Sequence, residues 1–110
     1  MGTPSSLGDF EQLVLLALVR LGDRAYGITI HNEIVERAGR EVTVAAVYKT
    51  LERLEGKACV RSRMGDPTPE RGGRARRYFA LTPLGLRTLR STHAALARLS
   101  EGLEAILEES

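Results

Sequence analysis

The chain of 110 residues has no tryptophan, and its only aromatic residues are three Tyr and two Phe. A single cysteine, Cys59, excludes an intramolecular disulfide framework and a cysteine-rich metal site. The longest apolar run, Leu13–Val19, has seven residues, whereas a membrane span needs about 20. No basic stretch leads into an apolar signal core at the N-terminus. We therefore expect a cytoplasmic protein without a membrane span.

The sequence also has none of the residue combinations on which enzymes depend. Gly72-Gly73 lacks the following helix and the Lys-Ser/Thr pair of a phosphate-binding loop. His31 and His93 are isolated from any Cys or carboxylate cluster with metal-ligand spacing. We therefore predict that the protein is not an enzyme and that it binds neither a metal ion nor a cofactor. Cys59 is interpreted as a small buried hydrophobe rather than a redox thiol.

The charge is unevenly distributed, although the formal net value is only +2. Arginine supplies 14 of the 16 basic residues, and six Arg lie between Arg61 and Arg77 against two carboxylates. The segment 101–110 holds four Glu and no base. A basic middle and an acidic end indicate a surface that faces a polyanion, although a solvated charged loop would have the same composition.

The first half of the chain predicts three helices after a flexible arm over residues 1–8. The first spans about 9–21 and is apolar on almost every side, which suggests that a partner chain covers it. The second spans about 26–38 and ends at Gly39. Thr43 caps the third, which runs to Gly56 or Lys57. In this third helix Val44, Val47, Leu51 and Leu54 form one apolar stripe.

The second half predicts a hairpin and one long helix. Residues 59–64 alternate like a strand, 65–73 have a loop composition, and 74–81 read as the returning strand. Thr82-Pro83 begins a last helix that runs to about Glu108. Along it an apolar seam repeats at heptad spacing, formed by Leu89, Thr92, Leu96, Leu99, Leu103 and Ile106. Pairing with a second subunit would cover this seam.

This order of elements predicts a mainly α-helical chain with a small β-hairpin, a winged helix-turn-helix followed by a long C-terminal dimerisation helix. We assign residues 1–8 to the arm, 9–82 to the DNA-binding domain and 83–110 to the dimerisation helix. The third helix suits a major groove, because one stripe anchors it while the other side faces outward. The hairpin suits the DNA backbone or the minor groove.

Several motifs occur in the order found in one known family. They are Phe10-Glu11, Tyr26-Gly27, Ala46-Val47-Tyr48, the run Leu51–Glu55, the run Arg71–Thr82, and Pro83-Leu84-Gly85. The set spans roughly residues 9–90 and resembles the PadR family of bacterial transcription regulators, in particular its short members. The resemblance implies a homodimeric winged-helix DNA binder, usually an autoregulating repressor, whose first and last helices build the dimer interface.

The resemblance also implies roles for single residues. Tyr48 matches a family tyrosine that usually touches the DNA backbone, and Arg74, Arg76 and Arg77 match the basic residues of the wing. Two positions depart from the pattern. Lys49 stands where the family often has Pro, and Ala58 stands where a glycine usually follows the third helix. Because of the second departure, the sequence defines the last residue of the third helix only to within a residue or two.

We predict three sets of contacts from these arguments. Double-stranded DNA, as a pseudo-palindromic operator, is contacted by Thr43, Ala45, Ala46, Tyr48, Lys49, Arg53, Arg71, Gly72, Gly73, Arg74, Arg76 and Arg77. The homodimer is formed by Phe10, Leu13, Val14, Leu89, Leu96, Leu99, Leu103 and Ile106. A small apolar or aromatic effector, as short family members can bind, lies against Phe10, Leu13, Val14, Leu96 and Leu99. The alternative function is a winged-helix protein–protein adaptor without DNA binding.

Overall fold

The computed structural model describes residues 7–65 and 76–108. Helix α1 spans Asp9–Leu21 and is followed by a 3₁₀ turn at Gly22–Arg24. Helix α2 spans Gly27–Ala38, and helix α3 spans Val44–Gly56. Strands β1 (Val60–Met64) and β2 (Arg77–Leu81) form an antiparallel hairpin, and helices α4 (Pro83–Ser100) and α5 (Glu104–Leu107) complete the order. The winged helix-turn-helix architecture predicted from the sequence is confirmed.

Local sequence signals set the helix ends. The Thr43 hydroxyl accepts a hydrogen bond from the Ala46 N–H at 3.1 Å, and the Thr82 hydroxyl accepts one from the Gly85 N–H at 3.0 Å. Both satisfy amides that the first helical turn leaves without a partner. Gly39 ends α2 in the left-handed conformation, with φ of 67°. Leu7 is buried in the core and Gly8 is the N-cap residue of α1, so the chain already packs two residues before the helix begins.

The core lies between the three helices and the hairpin. Helix α3 contributes Val47, Leu51 and Leu54, each with no exposed surface. They pack with residues from α1, α2 and both strands in one cluster that includes Leu15, Ile30, Val60 and Phe79. Burial of each large aliphatic side chain contributes about 1.5–3 kcal/mol. The predicted stripe on the third helix is therefore what orients that helix.

A buried ion pair joins the start of α1 to the end of α3. The Glu11 carboxylate accepts hydrogen bonds from Lys57 Nζ at 2.9 and 3.0 Å and from the Gly8 N–H at 2.9 Å. Burial raises the pKa of Glu11, but the Gly8 N–H and the Lys57 charge outweigh burial and hold the pKa below its ordinary value. The lowered pKa favours the ionised carboxylate, and the ion pair links the start of α1 to the end of α3.

In the turn after α3, an alanine adopts the left-handed backbone conformation that glycine adopts at lower energy. Ala58 has a φ of 64°, a left-handed conformation that costs an L-residue about 1–2 kcal/mol. The Cys59 N–H donates to the Leu54 carbonyl at 2.9 Å, which closes the helix end. The sequence left this end open, and the structure ends α3 at Gly56.

The last helix is not the single long rod that the heptad spacing predicted. Helix α4 ends at Ser100, and Gly102, with φ of 84°, turns the chain before the single turn of α5. A glycine in this conformation interrupts the helical hydrogen bonds, so Leu103 and Ile106 do not continue the α4 seam in register. None of the helices in the described part of the chain is long and apolar enough to span a bilayer.

At Gly85, the start of α4 packs directly against the backbone of Cys59, the residue that precedes β1. A Cβ added at this position would overlap the carbonyl oxygen of Cys59. The same backbone carbonyl accepts a hydrogen bond from the Thr82 N–H at 3.0 Å, so it is held in place. Only glycine allows this approach.

Gly85→Ala is expected to lower the free energy of unfolding by about 1–3 kcal/mol, because backbone rather than a flexible side chain must move. The matched control is Gly56→Ala on α3, whose added Cβ meets nothing within 4 Å. That control should be neutral or more stable by up to about 1 kcal/mol. Urea unfolding of both variants measures the difference. Equal stability of the two would contradict the contact.

Candidate nucleic-acid interface

The outer side of α3 carries the residues predicted to contact DNA. Tyr48, Lys49 and Arg53 are exposed there, opposite the buried Val47–Leu51–Leu54 stripe. Ala45 is exposed near the helix start, Ala46 is half-buried, and Thr43 is exposed as the cap. Because these positions follow the helical period, all six lie along one side or at one end of α3.

Tyr48 is both packed and accessible. Its ring covers Gly27, the first residue of α2, so closely that a Cβ there would overlap it. The ring also meets Phe79 of β2 edge-on, with centroids 6.4 Å apart. The side chain nevertheless keeps 36% of its surface exposed. The tyrosine is thus held at the junction of α2, α3 and the hairpin, with part of its surface open to a ligand.

The hairpin places further arginines beside α3. The strand register pairs Arg63 with Tyr78 and Met64 with Arg77. Arg61 and Arg63 are exposed on β1, and Arg76 is half-buried just before β2. Arg61, Arg63 and Arg76 give the hairpin a positive charge, and Lys49 and Arg53 add positive charge on the exposed side of α3. The predicted contacts at Arg71, Gly72, Gly73 and Arg74 lie outside the described residues.

Arg77 differs from its neighbours because it is engaged within the subunit. Its guanidinium donates to Glu55 Oε1 at 2.8 Å and to the Ser62 hydroxyl at 3.1 Å. The Ser62 hydroxyl in turn donates to the second oxygen of Glu55 at 2.9 Å. This network ties the hairpin to α3. A phosphate contact by Arg77 would compete with it, and the role of Arg77 in DNA binding stays a prediction.

Two tyrosines, one just before α2 and one in β2, were not among the predicted site residues. Tyr26 and Tyr78 pack edge to face, with centroids 5.5 Å apart. The Arg76 guanidinium lies 3.9 Å from the Tyr26 centroid, and the Arg63 guanidinium lies 4.8 Å from the Tyr78 centroid. Sequence spacing gave no signal for this cluster, because a backbone bridge between Tyr26 and Tyr78 brings together residues 52 positions apart.

Comparison with known proteins agrees with this geometry. The model of the transcriptional regulator PadR-like family matches residues 15–91. The chain belongs to the PadR-like family of transcriptional regulators. Like the other members of the PadR-like family, it is a DNA-binding transcription regulator rather than an enzyme. Among proteins with curated functions, none matches it in sequence.

Solved structures of other PadR-like regulators share the fold. A PadR family transcriptional regulator from Eggerthella lenta is 28% identical, with a TM-score of 0.68 over 90% of this chain and 84% of that one. A Streptococcus transcriptional regulator is also 28% identical, with a TM-score of 0.69 over 90% and 92%. A PadR family regulator from Clostridium difficile, 23% identical, supports the fold alone, with a TM-score of 0.73 over 91% and 99%.

Two residues assigned to the dimer interface of this PadR-like regulator are covered within their own subunit. Val14 has no exposed surface and Leu89 has 6%, because both pack into the core of their own subunit. A side chain covered in this way has no surface left for a second chain or for an effector. The apolar side chains that α1 exposes are instead Leu16 and Val19, at 39% and 54%. The sequence did not predict which apolar side chains of α1 are exposed, because the apolar run has no polar face that marks the outer side of the helix.

Gly27→Ala is expected to weaken DNA binding about 3- to 10-fold with little loss of stability. The added Cβ meets the far end of the Tyr48 side chain, which can rotate away and so leave its place in the interface. Fluorescence anisotropy with a labelled duplex measures the affinity, and thermal melting measures the stability. Tyr48→Ala should weaken binding at least as much. Wild-type affinity in both variants would remove Tyr48 from the interface.

Proposed function

We propose that this PadR-like regulator binds its operator as a homodimer and represses transcription, including that of its own gene. Helix α3 enters the major groove, and the hairpin over residues 59–81 lies on the backbone or minor groove. The observation that carries this proposal is the exposed side of α3, where Lys49 and Arg53 face outward and Tyr48 lies at the flank of a fully buried stripe.

The dimensions and chemistry of α3 support a major-groove position. Its 13 residues span about 20 Å, and the groove of B-DNA, about 12 Å wide, admits one α-helix. Ala45 near the helix start is small enough to allow close approach to base edges or a thymine methyl. Lys49 and Arg53 reach phosphate or purine edges, while Glu52 between them can accept a hydrogen bond from cytosine.

Exposed apolar side chains on α4 and α5 support a dimer. Leu96 and Leu99 are 52% and 80% exposed, and Leu103 and Ile106 beyond the helix break are 44% and 69% exposed. Such a row rarely stays uncovered in a soluble protein. Residues 83–110 thus form the dimerisation segment of the proposal, although the segment is a helix followed by a separate turn.

The surface of α1 offers a complementary partner for this segment. A groove of about 540 Å³ lies between α1 and α2, lined by Leu13, Leu16 and Val19, with Arg20 and Arg37 among its lining residues. The segment 101–108 combines Leu103, Ile106 and Leu107 with three Glu. Apolar surface thus matches between the two, and Arg20 is the cation that faces the glutamates, because Arg37 is already paired with Glu33 of the same groove. Phe10, which is half-buried, belongs to the same end of α1 as Leu13.

The release of this regulator by a small molecule stays a prediction. Of the five residues assigned to the effector, Val14 is excluded by its burial. Leu13 lines the α1–α2 groove, and Phe10 stands near it on α1. Leu96 and Leu99 reach a shared cavity only if a second subunit supplies them, so the effector proposal depends on the dimer.

DNA binding is tested by a mobility-shift titration at two salt concentrations. The probe is the duplex immediately upstream of the coding sequence, with an unrelated duplex as competitor. We expect tight binding that resists the competitor and weakens steeply with salt, with a log–log slope of about −0.9 for each phosphate contacted. Lys49→Ala and Arg53→Ala should weaken binding, and each lost phosphate contact should reduce the slope by about one.

Arg98→Ala is the matched control for this titration. Arg98 is an exposed arginine near the far end of α4, about 200° around the helix from Leu96. Its removal changes the charge equally and should leave binding unchanged. If no duplex is bound even at low salt, the regulator function fails, and the alternative of a protein–protein adaptor replaces it.

Leu99→Glu is expected to dissociate the dimer. Placing an unpaired carboxylate in an apolar interface costs several kcal/mol, which raises the dimer dissociation constant at least about 100-fold. Light scattering after size exclusion measures the mass. Ala94→Glu, on the opposite side of α4 from Leu96, is the control and should stay dimeric. A monomeric wild type, or a dimeric Leu99→Glu variant, would contradict the assigned interface.

A further inference from the structure

We infer that Tyr26 is a positioning residue for DNA binding, because it holds the Arg76 guanidinium face-on and leaves the edge of that guanidinium to bind a phosphate. Tyr78 does the same for Arg63. This inference rests on the proposed DNA binding and adds to it the residues that align two of the contacts. These four side chains form the tyrosine–arginine cluster.

The backbone holds the two tyrosines in place. Tyr26 and Tyr78 form an isolated antiparallel bridge, and the Phe79 N–H donates to the Ala25 carbonyl at 2.9 Å. Tyr78 also packs on Gly65, where an added Cβ would lie 2.6 Å from Tyr78 Cε1. The rings therefore form a rigid surface between the start of α2 and the base of the hairpin.

Arg63 and Arg76 differ from the arginines of the subunit that form ion pairs with carboxylates. Within residues 7–65 and 76–108, carboxylates form ion pairs with Arg37, Arg40 and Arg77 but with neither Arg63 nor Arg76. Their guanidinium groups instead lie over aromatic rings, Arg63 over Tyr78 and Arg76 over Tyr26.

The chemistry of the guanidinium explains the arrangement. The group is planar, and its five N–H donors lie in its plane. Stacking on a ring uses the face and leaves those donors free for the two oxygens of a phosphate. Restricting a flexible side chain in advance also lowers the entropy lost on binding. The cluster thus offers two guanidinium groups of the hairpin as phosphate donors.

A double-mutant cycle on Tyr26 and Arg76 tests the inference. The probes are the labelled upstream duplex and an unrelated labelled duplex at low salt, because a phosphate contact does not depend on sequence. Arg76→Ala should weaken binding of both duplexes and reduce the salt slope by about one. Tyr26→Leu should weaken binding about 3- to 10-fold, but should add nothing in the Arg76→Ala background.

Conservative variants separate positioning from other roles. Tyr26→Phe keeps the ring and should bind within about twofold of wild type. Arg76→Lys keeps the charge but loses the planar stack, so it should keep the salt slope and still bind more weakly. This second variant tests the inference even if Tyr26→Leu does not fold, as thermal melting would reveal. Arg98→Ala is again the charge control.

The outcomes distinguish the inference from the proposed function. If wild-type protein binds neither duplex, the proposed function fails and the inference fails with it. If wild type binds and Arg76→Ala is silent, or if Tyr26→Leu and Arg76→Ala are additive, only the inference is overturned. If Tyr26→Phe loses as much as Tyr26→Leu, the Tyr26 hydroxyl contacts DNA directly and the positioning role is wrong.

Discussion

Burial of one stripe of α3 is the constraint on which the rest of the interface depends. Val47, Leu51 and Leu54 have no exposed surface, and together their burial contributes about 5–9 kcal/mol. Rotation of α3 about its own axis by one residue position would expose these side chains. Their burial therefore fixes which side of the helix faces outward. The Glu11–Lys57 ion pair fixes the end of the same helix against α1. Core packing thereby sets which side chains face DNA.

Glycines at two contacts connect this helix to its surroundings. Gly27 admits the Tyr48 ring to the start of α2, and Gly85 admits the first turn of α4 to the Cys59 carbonyl. The first contact belongs to the interface and the second to the framework. Because the Cys59 segment leads directly into β1, the position of α4 and the position of the hairpin depend on each other.

The sequence predicted the elements with local signals and failed where the answer lay in tertiary contacts. Thr43, Gly39 and Thr82-Pro83 mark their helix ends correctly, because capping is a local interaction. The α3 stripe was also predicted, since its apolar period is unambiguous. In α1 nearly every position is apolar, so the pattern could not separate buried Val14 from exposed Leu16.

Other parts of the candidate site depended on contacts between distant residues. The heptad spacing continued through Gly102, whose turn ends the helix despite the regular pattern. Arg77 matched the basic residues of the wing, yet Glu55 engages it from α3. The tyrosine–arginine cluster joins α2 to the hairpin through a backbone bridge, which no spacing in the sequence encodes.

The most direct measurement of the account is a titration of ¹⁵N-labelled protein with the upstream duplex, followed by amide chemical shifts. We predict that the largest changes fall on residues 43–56, on 61–65 and on 76–79, and that α5 and the exposed side of α4 change little. Changes confined to the α1–α2 groove or to α4, with α3 unaffected, would contradict the claim that the outer side of α3 and the hairpin form the DNA-binding surface.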